Sequence, residues 1–124
     1  MAALRLLGSS TVLGMVTSAS VISGLRVVAP PGDRAQVIAR LNAWAEGVRQ
    51  SPGCLKVTCA EQVEDPNVLY AVSEWESDQA LEDFRNSPRS RDLSRPLVKL
   101  LAEPAKVTRL RADEVEAKAA EIEL

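Results

Sequence analysis

Residues 54–75 read CLKVTCAEQVEDPNVLYAVSEW. Two alternating runs flank the turn-forming triplet Asp65-Pro66-Asn67. In the first, Leu55, Val57, Cys59 and Val63 point one way, and Lys56, Thr58, Ala60 and Gln62 the other. That alternation marks a strand. In the second, Leu69, Ala71, Ser73 and Trp75 share a face opposite Tyr70, Val72, Glu74 and Glu76. A short connection between two such runs predicts an antiparallel hairpin.

Working outward, Ser20 to Ala29 (SVISGLRVVA) is β-branched and apolar and stops at Pro30-Pro31-Gly32, which reads as a strand closed by a turn. Asp33 can cap the next segment, where Val37, Leu41, Trp44 and Val48 recur at helical spacing, supported by Ile38 and Ala45. An amphipathic helix of about four turns follows from that spacing, with Trp44 in the core. Ser51-Pro52-Gly53 stops it. After the hairpin, Ser77 or Asp78 caps a helix carrying Ala80, Leu81 and Phe84. Ser87-Pro88 interrupts it, and Leu93, Leu97, Leu100 and Leu101 mark a second helical stretch. Pro96 has no N–H to donate and is expected to break or kink that stretch. After Pro104, AKVTRLRA reads as a last strand.

The order predicts an α+β, ferredoxin-like βαββαβ domain with an antiparallel sheet, spanning residues 20–112. Residues 1–19 read as an N-terminal arm or extra strand. Residues 113–124 read as a charged tail helix with Val115, Ala119 and Ile122 on one side. Helices cover one sheet face only, and the uncovered apolar positions predict a homodimer joined through the open face.

Composition narrows the chemistry. The chain has 124 residues, enough for one domain with its own core, and its net charge of −2 comes with no basic block. Aromatic residues make up 3%, too few for a base-stacking platform, so nucleic-acid binding is not expected. The apolar stretch between Leu6 and Val16 is too short to span a bilayer, and Gly8 and Gly14 dilute it as a leader. Histidine is absent. That removes the commonest general base and metal ligand, and with them a Ser-His-Asp triad, a zinc site or a His-ligated heme. Cys54 and Cys59 would lie about 16 Å apart on one strand, on opposite faces, against the about 7 Å a disulfide allows. They read as free thiols of a reducing compartment, which predicts a cytoplasmic protein.

Several strings in this order resemble the antibiotic biosynthesis monooxygenase family. PPGDRAQVIARL (residues 30–41) is similar to the opening of its first helix, and SPGCLKV (51–57) to its helix-to-strand turn. EDPNVLYAVSEWESDQALEDF (64–84) resembles its hairpin turn, third strand and second helix, and SPRSRDLSRPLVKLLAEPAKV (87–107) its last helices and strand. The resemblance covers about residues 20 to 110. It implies a dimeric α/β barrel with a pocket in each subunit between sheet and helices. It further implies oxidation of polycyclic aromatic polyketides by O₂ with no metal or flavin, or heme degradation in another branch.

Trp75 matches the tryptophan that lines the pocket in both branches. Where polyketide oxygenases carry an asparagine, this chain has Ala71, and where they carry a tyrosine it has Leu81. Their pocket arginine, and the heme branch's histidine, fall near Ser94; the heme branch's first-strand asparagine falls close to Leu25. The heme branch is therefore disfavoured. Ser73 could offer a hydroxyl to a ligand, and Arg26 could stabilise an anionic phenol, although a surface ion pair explains Arg26 as well. Arg89, Arg91 and Arg95 form a solvated cluster from which one could reach the pocket mouth. Glu74 and Glu76 face away from Trp75 and suit salt bridges better than acid-base work.

Two readings stay open. One is a cofactor-independent monooxygenase, or related cyclase, acting on an aromatic or polyketide intermediate. The other is a non-catalytic accessory dimer that holds a small hydrophobic or aromatic ligand in the same pocket.

Overall fold

The computed structural model describes residues 20–111; the N-terminal arm and tail helix expected from the sequence lie outside them. The elements are β1 (Val21–Val28), α1 (Arg34–Arg49), β2 (Cys54–Gln62), β3 (Asp65–Trp75), α2 (Asp78–Arg85), α3 (Pro88–Val98) and β4 (Lys106–Arg111). They form an α+β, ferredoxin-like fold whose antiparallel sheet has the order β2-β3-β1-β4.

The sheet has two unlike faces. Toward the helices, β3 offers Leu69, Ala71, Ser73 and Trp75, and β1 pairs Val27, Leu25, Ser23 and Val21 with them in register. Against these pack Val37, Leu41, Ala45 and Val48 of α1, Leu81 and Phe84 of α2 and Leu97 of α3. Burying such side chains contributes about 1.5–3 kcal/mol each, the main term holding the layers together. The other face carries half-buried Ile22, Arg26, Tyr70 and Val72, exposed Thr58 and Ala60, and Leu110, an exposed large apolar side chain.

Local chemistry fixes the connections. Gly32 and Gly53 hold positive φ angles of 87° and 83° in the turns before α1 and β2. The Gly53 carbonyl accepts the Glu76 N–H at 2.9 Å, which ties the start of β2 to the end of β3. Ser77 caps α2 by accepting the Ala80 N–H, and Ser87 caps α3 by accepting that of Ser90, with Pro88 in the first turn. Asp33 precedes α1 without a side-chain capping bond; its backbone carbonyl accepts the Val37 N–H instead.

Three expectations change. The hairpin turn lies at Val63 and Glu64, and Asp65-Pro66-Asn67 already belongs to β3. Pro66 has no N–H for the ladder, and the β2–β3 register skips from Leu69 to Asp65 there. A second irregularity, between Cys54 and Lys56, inserts Leu55 as a bulge residue. One extra residue inverts the alternation. Cys54 therefore pairs with Trp75 and Cys59 with Ala71, so both thiols lie on the helix side, half-buried against the core and free. Finally, α3 runs through Pro96 and ends only at Val98. The carbonyl that Pro96 leaves without a helical partner belongs to the exposed Asp92, where water can satisfy it.

Candidate functional site

A cavity of about 280 Å³ lies between the sheet and the helices, at the small end of ligand-pocket volumes. The sheet supplies its floor: Trp75 and Ser73 from β3, Ser23 and Leu25 from β1. Trp44 and Val48 of α1 and Leu81, Phe84 and Arg85 of α2 form one side. Ser90, Ser94, Leu97 and Val98 of α3, with Ala105 and Val107, complete it. Val98 and Val107 are 53% and 52% exposed, so the cavity opens to solvent between α3 and β4.

Trp75 is held from two sides. Alternation makes it the last inward residue of β3, where it is 1% exposed. Its Nε1–H donates to Ser73 Oγ at 2.9 Å, and Ser73 Oγ in turn lies 3.4 Å from the Ser23 carbonyl oxygen as donor. The Phe84 ring stands 5.6 Å away, centroid to centroid, tilted by 32°. That separation is within the range of favourable aromatic pairs. The indole is thus fixed in place with its N–H satisfied inside the protein. The Ser73 hydroxyl, one of the hydrogen bonders expected for a ligand, is occupied by this internal chain.

The other residues singled out from sequence divide cleanly. Leu81, Ser94 and Leu25 border the cavity with Trp75 and Ser73. Ala71 shares their sheet face but is completely buried in the core and does not border it. Arg26 sits on the opposite face, where its Nη1 lies 3.4 Å from Glu103 Oε1, the surface-pair alternative. Of the arginine cluster, Arg89 donates to the Gly47 carbonyl and Gln50, while Arg95 borders a separate cleft between α1 and α3. Glu74 and Glu76 do not border the Trp75 cavity.

Among the lining residues that the sequence did not single out for the pocket, three stand out. Trp44 has the helical spacing of a core residue but is only half-buried and lines the cavity. Phe84, named from sequence only as a residue of the second helix, is buried in the core and also reaches the cavity. Arg85 is the one charged residue among the described residues lining it. Its spacing four residues after Leu81 places both on one side of α2, a signal that was available.

Burial raises the thiol pKa values of both Cys54 and Cys59, which keeps them protonated and poorly nucleophilic. Neither borders the cavity. Among the described residues, no cluster of His, Cys, Asp and Glu could hold a metal ion, and no helix is long and apolar enough to cross a membrane. The cavity lining is mainly apolar, with one cation and several serine hydroxyls among the described residues.

The family model described as antibiotic biosynthesis monooxygenase matches residues 21–95. The structure of Rv0793 from Mycobacterium tuberculosis is similar, with 27% identity and a TM-score of 0.64 over 73% of this chain and 91% of that one. PA3566 from Pseudomonas aeruginosa has 26% identity and a TM-score of 0.64, covering 79% and 97%. A conserved protein from Methanosarcina mazei Go1 shares the fold at 15% identity, with a TM-score of 0.69 over 77% and 94%. No curated protein sequence matches the chain.

Proposed function

Because the chain belongs to the antibiotic biosynthesis monooxygenase family, we propose that it oxidises a small, electron-rich aromatic molecule with O₂ in the Trp75 cavity, without a metal or flavin. The observation that carries this reading is the cavity wall. Half-buried Trp44 presents aromatic surface, the buried rings of Trp75 and Phe84 back it, and Arg85 is the single charged group beside them among the described residues.

The chemistry asks little of the protein. An ionised hydroxyaromatic ring can itself reduce O₂. At an activated ring CH₂, one oxygen atom becomes a carbonyl and the other leaves as water with both hydrogens. The chain's part is to strip water from the ring, hold it against the aromatic wall and favour its ionised form. Trp75, fixed by Ser73, sets the plane; Ser90 and Ser94 offer hydroxyls to ring oxygens; Arg85 favours the anion.

The working unit under this proposal is a homodimer joined through the open sheet face. Exposed Leu110 and half-buried Ile22, Tyr70 and Val72 support it, since an apolar sheet face is stabilised by a second copy.

One observation favours the second reading, a non-catalytic binder. No described residue lining the cavity is an Asp, Glu, Lys, Tyr or Cys, so no side chain there is placed as a general base. The oxygenase must then receive a substrate that ionises readily. Oxygen-electrode measurements with anthrone and dihydroquinones separate the two. Enzyme-dependent uptake supports oxidation, whereas raised thermal stability without uptake with any of these compounds leaves only binding.

A further inference from the structure

Arg85 and Glu82 are neighbours on one side of α2, yet they are not a close ion pair. Arg85 Nη1 lies 4.0 Å from Glu82 Oε2, at the outer limit of such a contact. The same carboxylate oxygen accepts a hydrogen bond from Arg109 Nη1 of β4 at 2.7 Å. Glu82 is thus drawn toward the sheet edge by the nearer guanidinium. The Arg85 guanidinium has no hydrogen bond among the described residues, and its side chain is 42% exposed where α2 borders the cavity. The cavity wall there holds one positive charge and no carboxylate.

From this arrangement we propose that the cavity selects aromatic ligands carrying one anionic oxygen group, with Arg85 as the specificity-determining residue and Arg109 as a positioning residue that keeps Glu82 from neutralising it. The inference rests on the reading that the cavity takes an aromatic ligand, and it names the charge class of that ligand. With a neutral ring in the cavity, Arg85 keeps as partners only solvent and, among the described residues, the distant Glu82 carboxylate. An anionic substituent at the mouth gives it a partner, and the planar fork of a guanidinium suits a carboxylate or phenolate. Without Arg109, Glu82 is free to pair with Arg85 and competes with the ligand's own anion.

The test is calorimetric titration of the full chain with 2-naphthoate and its neutral, near-isosteric partner 2-naphthamide. The wild-type protein should bind 2-naphthoate about tenfold more tightly, the size of one charge-assisted contact. Arg85→Gln should abolish the preference, weakening 2-naphthoate more than 2-naphthamide, and Arg85→Lys, which keeps the charge, should retain part of it. Arg109→Gln should cut the preference about two- to threefold, as expected for an exposed pair. The lost preference should recover when Glu82→Gln is added, a rescue that a purely structural role for Arg109 would not give. Equal affinity for the two compounds in the wild type, or a preference that survives Arg85→Gln, overturns this proposal and leaves the binding reading intact. Binding of neither compound overturns both.

Discussion

The indole N–H of Trp75 is satisfied by the Ser73 hydroxyl two residues earlier on the same strand, at 2.9 Å. Strand alternation puts both side chains on the helix face, and both are buried, Ser73 at 3% exposure and Trp75 at 1%. A buried donor left without an acceptor costs about 1–3 kcal/mol. Ser73→Ala should therefore destabilise the protein by about that amount in urea denaturation. In a Trp75→Phe background the same substitution should cost less, because no indole N–H remains to be orphaned. Identical costs in the two backgrounds would show that the bond contributes nothing.

The two positive-φ glycines give a second expectation. Gly32 and Gly53 have nearly the same φ, but a Cβ on Gly32 meets nothing within 4 Å, whereas on Gly53 it lies 2.4 Å from the Ala80 Cβ. Gly32→Ala should cost about 1 kcal/mol from backbone strain alone. Gly53→Ala adds an overpacked contact between β2 and α2 and should cost about 2–4 kcal/mol. Equal losses in thermal or urea denaturation would mean that α2 can shift to relieve the clash.

Alkaline pH probes the half-buried thiols. Burial raises both pKa values above the ordinary 9.0. Below the unfolded pKa both states keep the proton and the thiols do not affect stability; above it the unfolded chain ionises first, which favours unfolding. The folded chain is therefore stable below the unfolded pKa and loses stability as pH rises through the folded one. Stability should fall above about pH 9, and a Cys54→Ser, Cys59→Ser double variant should show a shallower fall. At pH 7.5 both thiols should react more slowly with a disulfide reagent than in urea. Rapid reaction of the native protein would contradict their protonated, half-buried state.

Much of this fold was legible because each element carries two agreeing signals. The β3 alternation and the bulk of Trp75 both name its inward face. The α1 stripe is bounded by Pro31-Gly32 and Pro52-Gly53, and Ser87-Pro88 separates α2 from α3 as expected. The bulge at Leu55 was not legible, because the extra residue is an ordinary member of an alternating run and leaves no compositional mark. Nor was the skipped ladder at Pro66, where turn-forming residues were read as the turn itself. The site was legible where it depends on strand parity, as for Trp75 and Ser73. It was hidden where it depends on how three helices meet the sheet. Residue spacing alone cannot say that Trp44 edges the cavity, that Ala71 is buried within the core instead, or that Arg26 meets Glu103 across 77 residues of sequence.

The open sheet face predicts association. Analytical ultracentrifugation should give a dimer's mass, and Leu110→Glu, which places a charge on that face, should shift it toward the monomer at micromolar concentration. A wild-type protein that sediments as a monomer at tens of micromolar would remove the dimer from the proposal.

The most direct test of the central claim is oxygen consumption with anthrone-type substrates, compared between the wild type and Ser94→Phe. Ser94 lines the Trp75 cavity from α3, and a phenyl group there takes up ligand space without altering the sheet. Oxidation in the cavity predicts enzyme-dependent uptake of one O₂ per substrate by the wild type. The variant should lose at least tenfold in kcat/KM while keeping its cooperative thermal transition. Uptake that Ser94→Phe leaves unchanged, or no uptake by the wild type, would contradict it.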